Sequence, residues 1–314
     1  MSRSLPRPAS APPPPVRRGQ LVEARETRSA DGTNIAYFVG PEPYPGAPVV
    51  VLANGLGGPR LAWRGLVEQL SDEVRFVTWD YRGLYASSRP SDSSDLAYSV
   101  PRQVDDLEAV LRAEGIGRAT LFGWSMGVQV ALEAYRRLPG FAEALVLLNG
   151  TFGRPLDTAV PLPFARRFVP PVLQVAERLH QPVGKVMRAL AAQPEFVSVM
   201  KRFGMMADTV DEGEFTEIAV AFAGLDVEVF LRTLRALGDH DASRILPRIE
   251  VPVLVVAGDH DRMTPRGLSQ QMVRKIPRAE ILVVRGGTHY TAVEFPELVA
   301  LRIGRFLREQ GIAG

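Results

Sequence analysis

Six short, nearly unbroken apolar runs constrain this chain more than any other feature: "PVVVLANG", "VRFVTWD", "ATLFGWS", "EALVLLNG", "VPVLVVAGDHD" and "AEILVVRGGTH". Successive side chains of a strand point to opposite faces of its sheet, so a run that does not alternate with polar residues belongs to a strand buried on both faces. Ahead of the six, "QLVEARETRSADGTNIAYFVG" holds two strand-like stretches parted by the turn signal "ADGT". Between the runs lie helical patterns. "PRLAWRGLVEQLSD" sets Leu61, Leu66 and Leu70 near one side, and "VPRQVDDLEAVLRAEG" sets Val104, Leu107, Val110 and Leu111 on one stripe that Gly115 ends. "GVQVALEAYRRLPG" and "PELVALRIGRFLREQG" read the same way. Strands alternating with helices predict the α/β class, a mostly parallel eight-stranded sheet with helices on both faces.

The rhythm breaks once. From Gly150 to about Pro247 there is no buried-strand run, only helical segments ("PVLQVAERLH", "GKVMRALAAQ", "DVEVFLRTLRAL") split by Pro155, Pro161, Pro163, Pro170, Pro171, Pro182 and Pro194. A structureless loop of that length is not expected inside a domain. The division predicted is therefore a sheet core over 20–150 and 248–314 with a helical cap inserted at 151–247. Residues 1–19, with six prolines in the first 15, read as a disordered, partly polyproline arm, and their lack of an apolar centre argues against a secretory signal.

Composition removes several function classes. The net charge is only +2, and no basic run is interleaved with aromatics, so no nucleic-acid partner is expected. The absence of cysteine excludes disulfides, thiolate catalysis and cysteine metal sites, and fits a cytoplasmic location. No apolar stretch approaches the roughly 18 residues that a membrane-spanning helix needs. No heptad pattern specifies an oligomeric state.

"LFGWSMGVQ" places Ser125 between Gly123 and Gly127, where a buried strand meets a helix. A tight corner there strains the serine backbone and lifts its hydroxyl clear of the sheet, while side chains at the two glycines would collide as strand and helix close. The helix that follows offers free N–H groups and a positive dipole end, suited to an oxyanion. A serine hydroxyl is a weak nucleophile until a base takes its proton. Of four histidines, His180 and His240 fall in or beside the cap and His260 lies between two aspartates, whereas His289 follows the last strand at its carboxyl end, the edge at which Ser125 emerges. An acceptor must orient that base, and Asp259 and Asp261 both lie just beyond the preceding strand; Asp261, further out, is better placed, and Asp259 is also suited to organising its own loop. The glycine-rich "LANGLGGPR" offers the N–H of Leu56 as a second oxyanion donor beside that of Met126. Trp124, next to the serine, is a candidate for the substrate pocket and equally for packing.

"NGLGG", "DYRGLYASSRP", "GWSMG" and "GDHDRMTP" followed by "GGTH" stand in the order found in the α/β-hydrolase fold superfamily. The chain resembles its capped serine hydrolases (esterases, lactonases and C–C hydrolases) over roughly residues 20–310. The resemblance implies Ser125 as nucleophile, His289 as base and Asp261, rather than Asp259, as acid, with Leu56 and Met126 as oxyanion amides and the inserted helices as a lid. Asn149 stands where some relatives carry the acid. Asn54 replaces a usual histidine, Tyr85 a usual glycine and Val128 a usual small residue. The activity implied is cofactor-free, metal-free hydrolysis of an ester-type bond in a small hydrophobic molecule. C–C, lactone and thioester hydrolysis and perhydrolysis use the same triad, and a ligand-binding protein without turnover is the reading from another class.

Overall fold

Alternate residues of the central strands pass to opposite faces of one sheet, and both faces are dry. The computed structural model describes residues 21, 23–92, 94–155, 176, 178–193 and 195–314. Its strands are β1 (Glu23–Arg28), β2 (Asn34–Val39), β3 (Val49–Ala53), β4 (Arg75–Trp79), β5 (Ala119–Trp124), β6 (Ala142–Leu148), β7 (Val253–Gly258) and β8 (Ala279–Val284). They lie in the order β1-β2-β4-β3-β5-β6-β7-β8. β2 is antiparallel to both its neighbours, and every pair from β4 to β8 is parallel. The "ADGT" signal closes the β1–β2 hairpin, with Gly32 at φ 86° and the Ser29 N–H donating to the Thr33 carbonyl at 2.9 Å.

The helices are α1 (Arg64–Leu70), α2 (Val100–Glu114), α3 (Met126–Arg137), α4 (His180–Ala191), α5 (Phe196–Arg202), α6 (Glu212–Ala223), α7 (Val227–Gly238), α8 (Arg266–Lys275), α9 (Thr291–Glu294) and α10 (Pro296–Glu309). On one face Val51, Val77, Leu121, Leu145 and Val253 pack with Val104 and Leu107 of α2, Val130 of α3 and Met272 of α8. On the other Val50, Leu52, Phe76, Phe122, Val146 and Leu254 pack with Leu66 and Leu70 of α1 and Ile303 and Phe306 of α10. Two covered faces are why the apolar runs carry no alternation. β8 differs: as an edge strand it is only half-buried along most of its length. "PRLAWRGLVEQLSD" also differs from a single helix, splitting into a 3-10 turn at Arg60–Trp63 and α1, which leaves Leu61 only partly buried.

Between β6 and β7 the regular elements among the described residues are all helical, α4 to α7 and a 3-10 turn at Leu246–Arg248. Asp211 and Asp226 cap α6 and α7, accepting from the N–H groups of Glu214 and Val229. The proline-rich arm at 1–19 and most of "PVLQVAERLH" lie outside the described residues.

The sheet and α3 meet without room for a side chain. A Cβ on Gly127 would lie 2.0 Å from the Ala53 carbonyl oxygen, and one on Gly123 would lie 2.3 Å from the Gly127 carbonyl oxygen. Both obstacles are backbone, which cannot swing aside. Gly127→Ala is therefore expected to cost on the order of 3 kcal/mol or more in urea unfolding. Gly117→Ala, with nothing within 4 Å of the added carbon, should stay within about 0.5 kcal/mol. Equal stability of the two variants would contradict this account of the corner.

Candidate active site

Ser125 occupies the corner between β5 and α3 at φ 55°, ψ −115°, a conformation that side chains rarely adopt. Its N–H donates to the Leu148 carbonyl at 2.9 Å, which ties the corner to β6. The α3 N-terminus packs onto the end of β3, so the loops after β3 and β5 are neighbours at the carboxyl edge of the sheet. Val128, in place of the usual small residue, fills the space left by Gly150: a Cβ there would lie 2.3 Å from Val128 Cγ2.

The loop after β8 brings His289 to the serine, Nε2 to Oγ being 2.9 Å. Its Nδ1 stands 3.0 Å from Asp261 Oδ2, in the loop after β7. His289 is 4% exposed and Asp261 5%. The same Asp261 oxygen accepts from Asn149 Nδ2 at 3.0 Å and Thr264 Oγ1 at 2.7 Å, and Oδ1 accepts from the N–H groups of Met263 (2.9 Å) and Thr264 (2.8 Å). Burial pushes the Asp261 carboxyl up, but the hydrogen bond and charge of His289 and the donors of Thr264 outweigh it and hold the group below its ordinary value. The carboxylate thus stays ionised in a dry place because it is saturated with donors.

Asp259 is elsewhere engaged, its Oδ1 accepting from the Gly286 N–H at 2.7 Å and so pinning the β8 turn. Among the other histidines, His240 faces Gln129 and Glu133 on α3, the His260 N–H donates to the Gly287 carbonyl, and His180 begins α4. Trp124 is 8% exposed. Its indole N–H donates to the His289 carbonyl at 2.9 Å, and its ring lies against Gly55 and Gly58. Among the described residues no three His, Cys, Asp or Glu side chains converge to hold a metal ion.

Residues 55–58 form a turn closed by the Gly58 N–H on the Gly55 carbonyl at 2.9 Å, with Gly57 at φ 65° in its third position, as a type II turn requires. That bond leaves the Leu56 N–H outside the turn's own pairing, while the Met126 N–H heads α3. Asn54, in the place of a histidine, is held by three bonds: its Nδ2 donates to the Trp79 carbonyl (2.8 Å), its Oδ1 accepts from Trp63 Nε1 (2.7 Å), and its carbonyl accepts from the Tyr81 hydroxyl (2.6 Å). Two supports were not read from the sequence. Asn149, at φ 45°, donates to Asp261 and to the Thr288 carbonyl while accepting from Thr291. Thr264 is reached through the Asp-x-x-Thr turn written in "DRMT", a signal that turn chemistry could have supplied. The three side chains brought into line can pass a proton from a hydroxyl to an imidazole, and the N-terminus of α3 that follows Ser125 is suited to stabilising an oxyanion.

Residues 50–302 match the Alpha/beta hydrolase family. A protein of Enterobacter cloacae named "Putative carbamate hydrolase RutD" is 30% identical over 259 residues, covering 82% of this chain and 91% of that protein. A protein of the same name from Klebsiella pneumoniae is 29% identical over 251 residues, covering 80% and 88%. Among solved structures, the esterase EaEST of Exiguobacterium antarcticum superposes with a TM-score of 0.73 at 19% identity, over 91% of this chain and all of its own. The enol-lactonase of Burkholderia xenovorans LB400 gives 0.73 at 23% identity, over 90% of this chain and all of its own. At such identities the two structures share the fold.

Asp80, in the loop that carries Tyr85, is the buried acid of this region with the clearest pH signature. Burial pushes its carboxyl up from 3.8 to about 6, against the Ala86 N–H that it accepts and the charge of Arg60. The folded form therefore holds the proton more tightly than the unfolded chain, and stability falls as pH rises from about 4 to about 6 and is level above. Asp80→Asn, neutral throughout, should match wild type near pH 4 and exceed it by roughly 2–3 kcal/mol at pH 8. Urea midpoints at the two pH values check this, and a difference that does not vary with pH contradicts it.

Proposed function

Because the chain belongs to the alpha/beta hydrolase family and is a hydrolase of that fold, we propose that it is a serine hydrolase cleaving an ester-type bond through Ser125, His289 and Asp261. The observation that carries the reading is the relay of two short contacts, 2.9 Å from Ser125 Oγ to His289 Nε2 and 3.0 Å from His289 Nδ1 to Asp261 Oδ2. His289, its Nδ1–H donated to Asp261, accepts the Ser125 proton on Nε2 as Oγ bonds to the substrate carbonyl carbon. The carbonyl electrons move onto oxygen, which the N–H groups of Leu56 and Met126 stabilise. The tetrahedral adduct collapses, the Nε2 proton goes to the departing alcohol, and an acyl group remains on Ser125. Water then attacks that acyl group by the same roles and releases the acid.

The substrate in this reading is a small hydrophobic molecule. Supporting it, Phe222, Leu225 and Phe230, from α6, α7 and the link between them, crowd Gly57 beside the site. Of the inserted segment, α6 and α7 act as the lid, docked by that apolar contact and by Arg64–Glu217, Arg89–Asp226 and Arg235–Asp95. Exposed pairs of this kind contribute little, so the apolar contact dominates. A second reading, carbamate hydrolysis by the same steps, is favoured by the name of the relatives at 29–30% identity.

A fluorophosphonate probe should label the purified protein stoichiometrically, and Ser125→Ala should abolish labelling. Absence of both labelling and p-nitrophenyl ester turnover in the wild type would favour a ligand-binding protein. His289→Gln should lower kcat by about 10³-fold or more; a near-normal rate would remove His289 from its role. Across acyl esters of increasing chain length, lactones, thioesters and aryl carbamates, kcat/KM should be highest on an ester with an apolar acyl group. A carbamate surpassing every ester would replace the ester reading and leave the triad standing.

A further inference from the structure

Three non-glycine residues among those described have a positive φ: Ser125, Asn149 and Tyr85. The first two lie in the relay or against it. Tyr85 has φ 50°, a backbone that only glycine adopts without strain. A bulky side chain held there implies an interaction that offsets the strain. The interaction is with the turn beside Ser125: the Tyr85 hydroxyl donates to the Gly57 carbonyl at 2.5 Å. Among the described residues it is the one side-chain hydrogen bond made to residues 55–58.

The glycines of that turn are also covered by apolar contact. Trp124 lies against Gly55 and Gly58, and Leu225, Phe222 and Phe230 lie over Gly57, where a Cβ would meet them at 2.7, 2.9 and 3.0 Å. Such contacts exclude displacement but do not orient a peptide plane; a hydrogen bond to a carbonyl does. The loop that carries Tyr85 is a firm base. The Gly83 N–H donates to the Ser88 carbonyl and the Leu84 N–H to the Tyr81 carbonyl, both at 2.9 Å, the Ala86 N–H donates to Asp80 (3.1 Å), and Arg89 pairs with Asp226 and Glu228 on the cap. Burial and the Asp80 charge both push the Tyr85 hydroxyl upward, so it stays a donor at working pH.

Resting on the reading of Leu56 as an oxyanion donor, we propose that Tyr85 is a positioning residue: by holding the Gly57 carbonyl it fixes the type II turn so that the Leu56 N–H points at the developing oxyanion. The bond acts on the transition state, in which the N–H is loaded, and leaves ground-state substrate binding nearly unchanged.

The test compares wild type, Tyr85→Phe, Tyr85→Gly and Ser125→Ala as full-length chains on a p-nitrophenyl ester. Tyr85→Phe removes the hydroxyl alone. Its kcat should fall about 10-fold with KM within about 2-fold, since an oriented donor is displaced rather than deleted. A trifluoromethyl ketone, which forms a tetrahedral adduct on the serine, should bind more weakly by the same factor as kcat/KM, while the product acid inhibits as before. The melting temperature of the Phe variant should fall by only a few degrees, because the bond that offsets the strain is lost while the fold stays intact. Tyr85→Gly relieves the backbone but supplies no hydroxyl, so it should share the loss of kcat. Tyr85→Phe with kcat within 2-fold of wild type, a loss confined to KM, or a Gly variant restored to wild-type kcat overturns the proposal while Ser125 still labels. Full turnover by Ser125→Ala overturns the reading of the site, and this proposal with it.

Discussion

The close approach of α3 to the end of β3 is the constraint from which the rest of the site follows. With no room for a Cβ on Gly127 beside the Ala53 carbonyl, strand and helix close tightly around Ser125, which takes a positive-φ corner. The strain is local, and the packing that imposes it is spread over the sheet and the two helical layers. One consequence is positional: the N-terminus of α3 lies against the end of β3 and the start of the loop that holds the 55–58 turn. Another is chemical, because the serine hydroxyl projects beyond the sheet instead of into either core.

The same parallel sheet delivers the remaining parts. The loops after β6, β7 and β8 leave one edge side by side, and their residues Asn149, Asp261 and His289 are joined by hydrogen bonds. A buried carboxylate is costly unless nearly all its lone pairs are engaged, and Asp261 meets five donors. Because Asn149 is neutral, it adds a donor without adding a competing charge. In the proposed reaction this arrangement steadies the imidazolium formed when His289 takes a proton.

Asn54, Val128 and Tyr85 each have a local partner. The Asn54 amide bonds both Trp63 and the Trp79 carbonyl of β4, which anchors the turn after β3. Val128 is matched by Gly150. Tyr85 gives up a relaxed backbone and gains a bond to Gly57. These contacts hold the loops around Ser125 in place.

Much of this was legible in the chain itself. Apolar runs without alternation specify strands with two dry faces, and Gly-x-Ser-x-Gly between a strand and a helix specifies a corner, because both depend on side-chain volume and polarity at fixed local spacing. The choice between Asp259 and Asp261 did not follow from local spacing, since both sit on one loop; the neighbouring β8 turn engages the first and the imidazole meets the second. Nor did spacing foretell the bonds from Asn149, Trp124 and Tyr85, which join residues 112, 165 and 28 positions apart. Local pattern determined which elements form and where Ser125 turns outward. Tertiary structure decided which polar groups face one another, because partnership across loops depends on strand order and register, and these are set by the packing of the whole sheet.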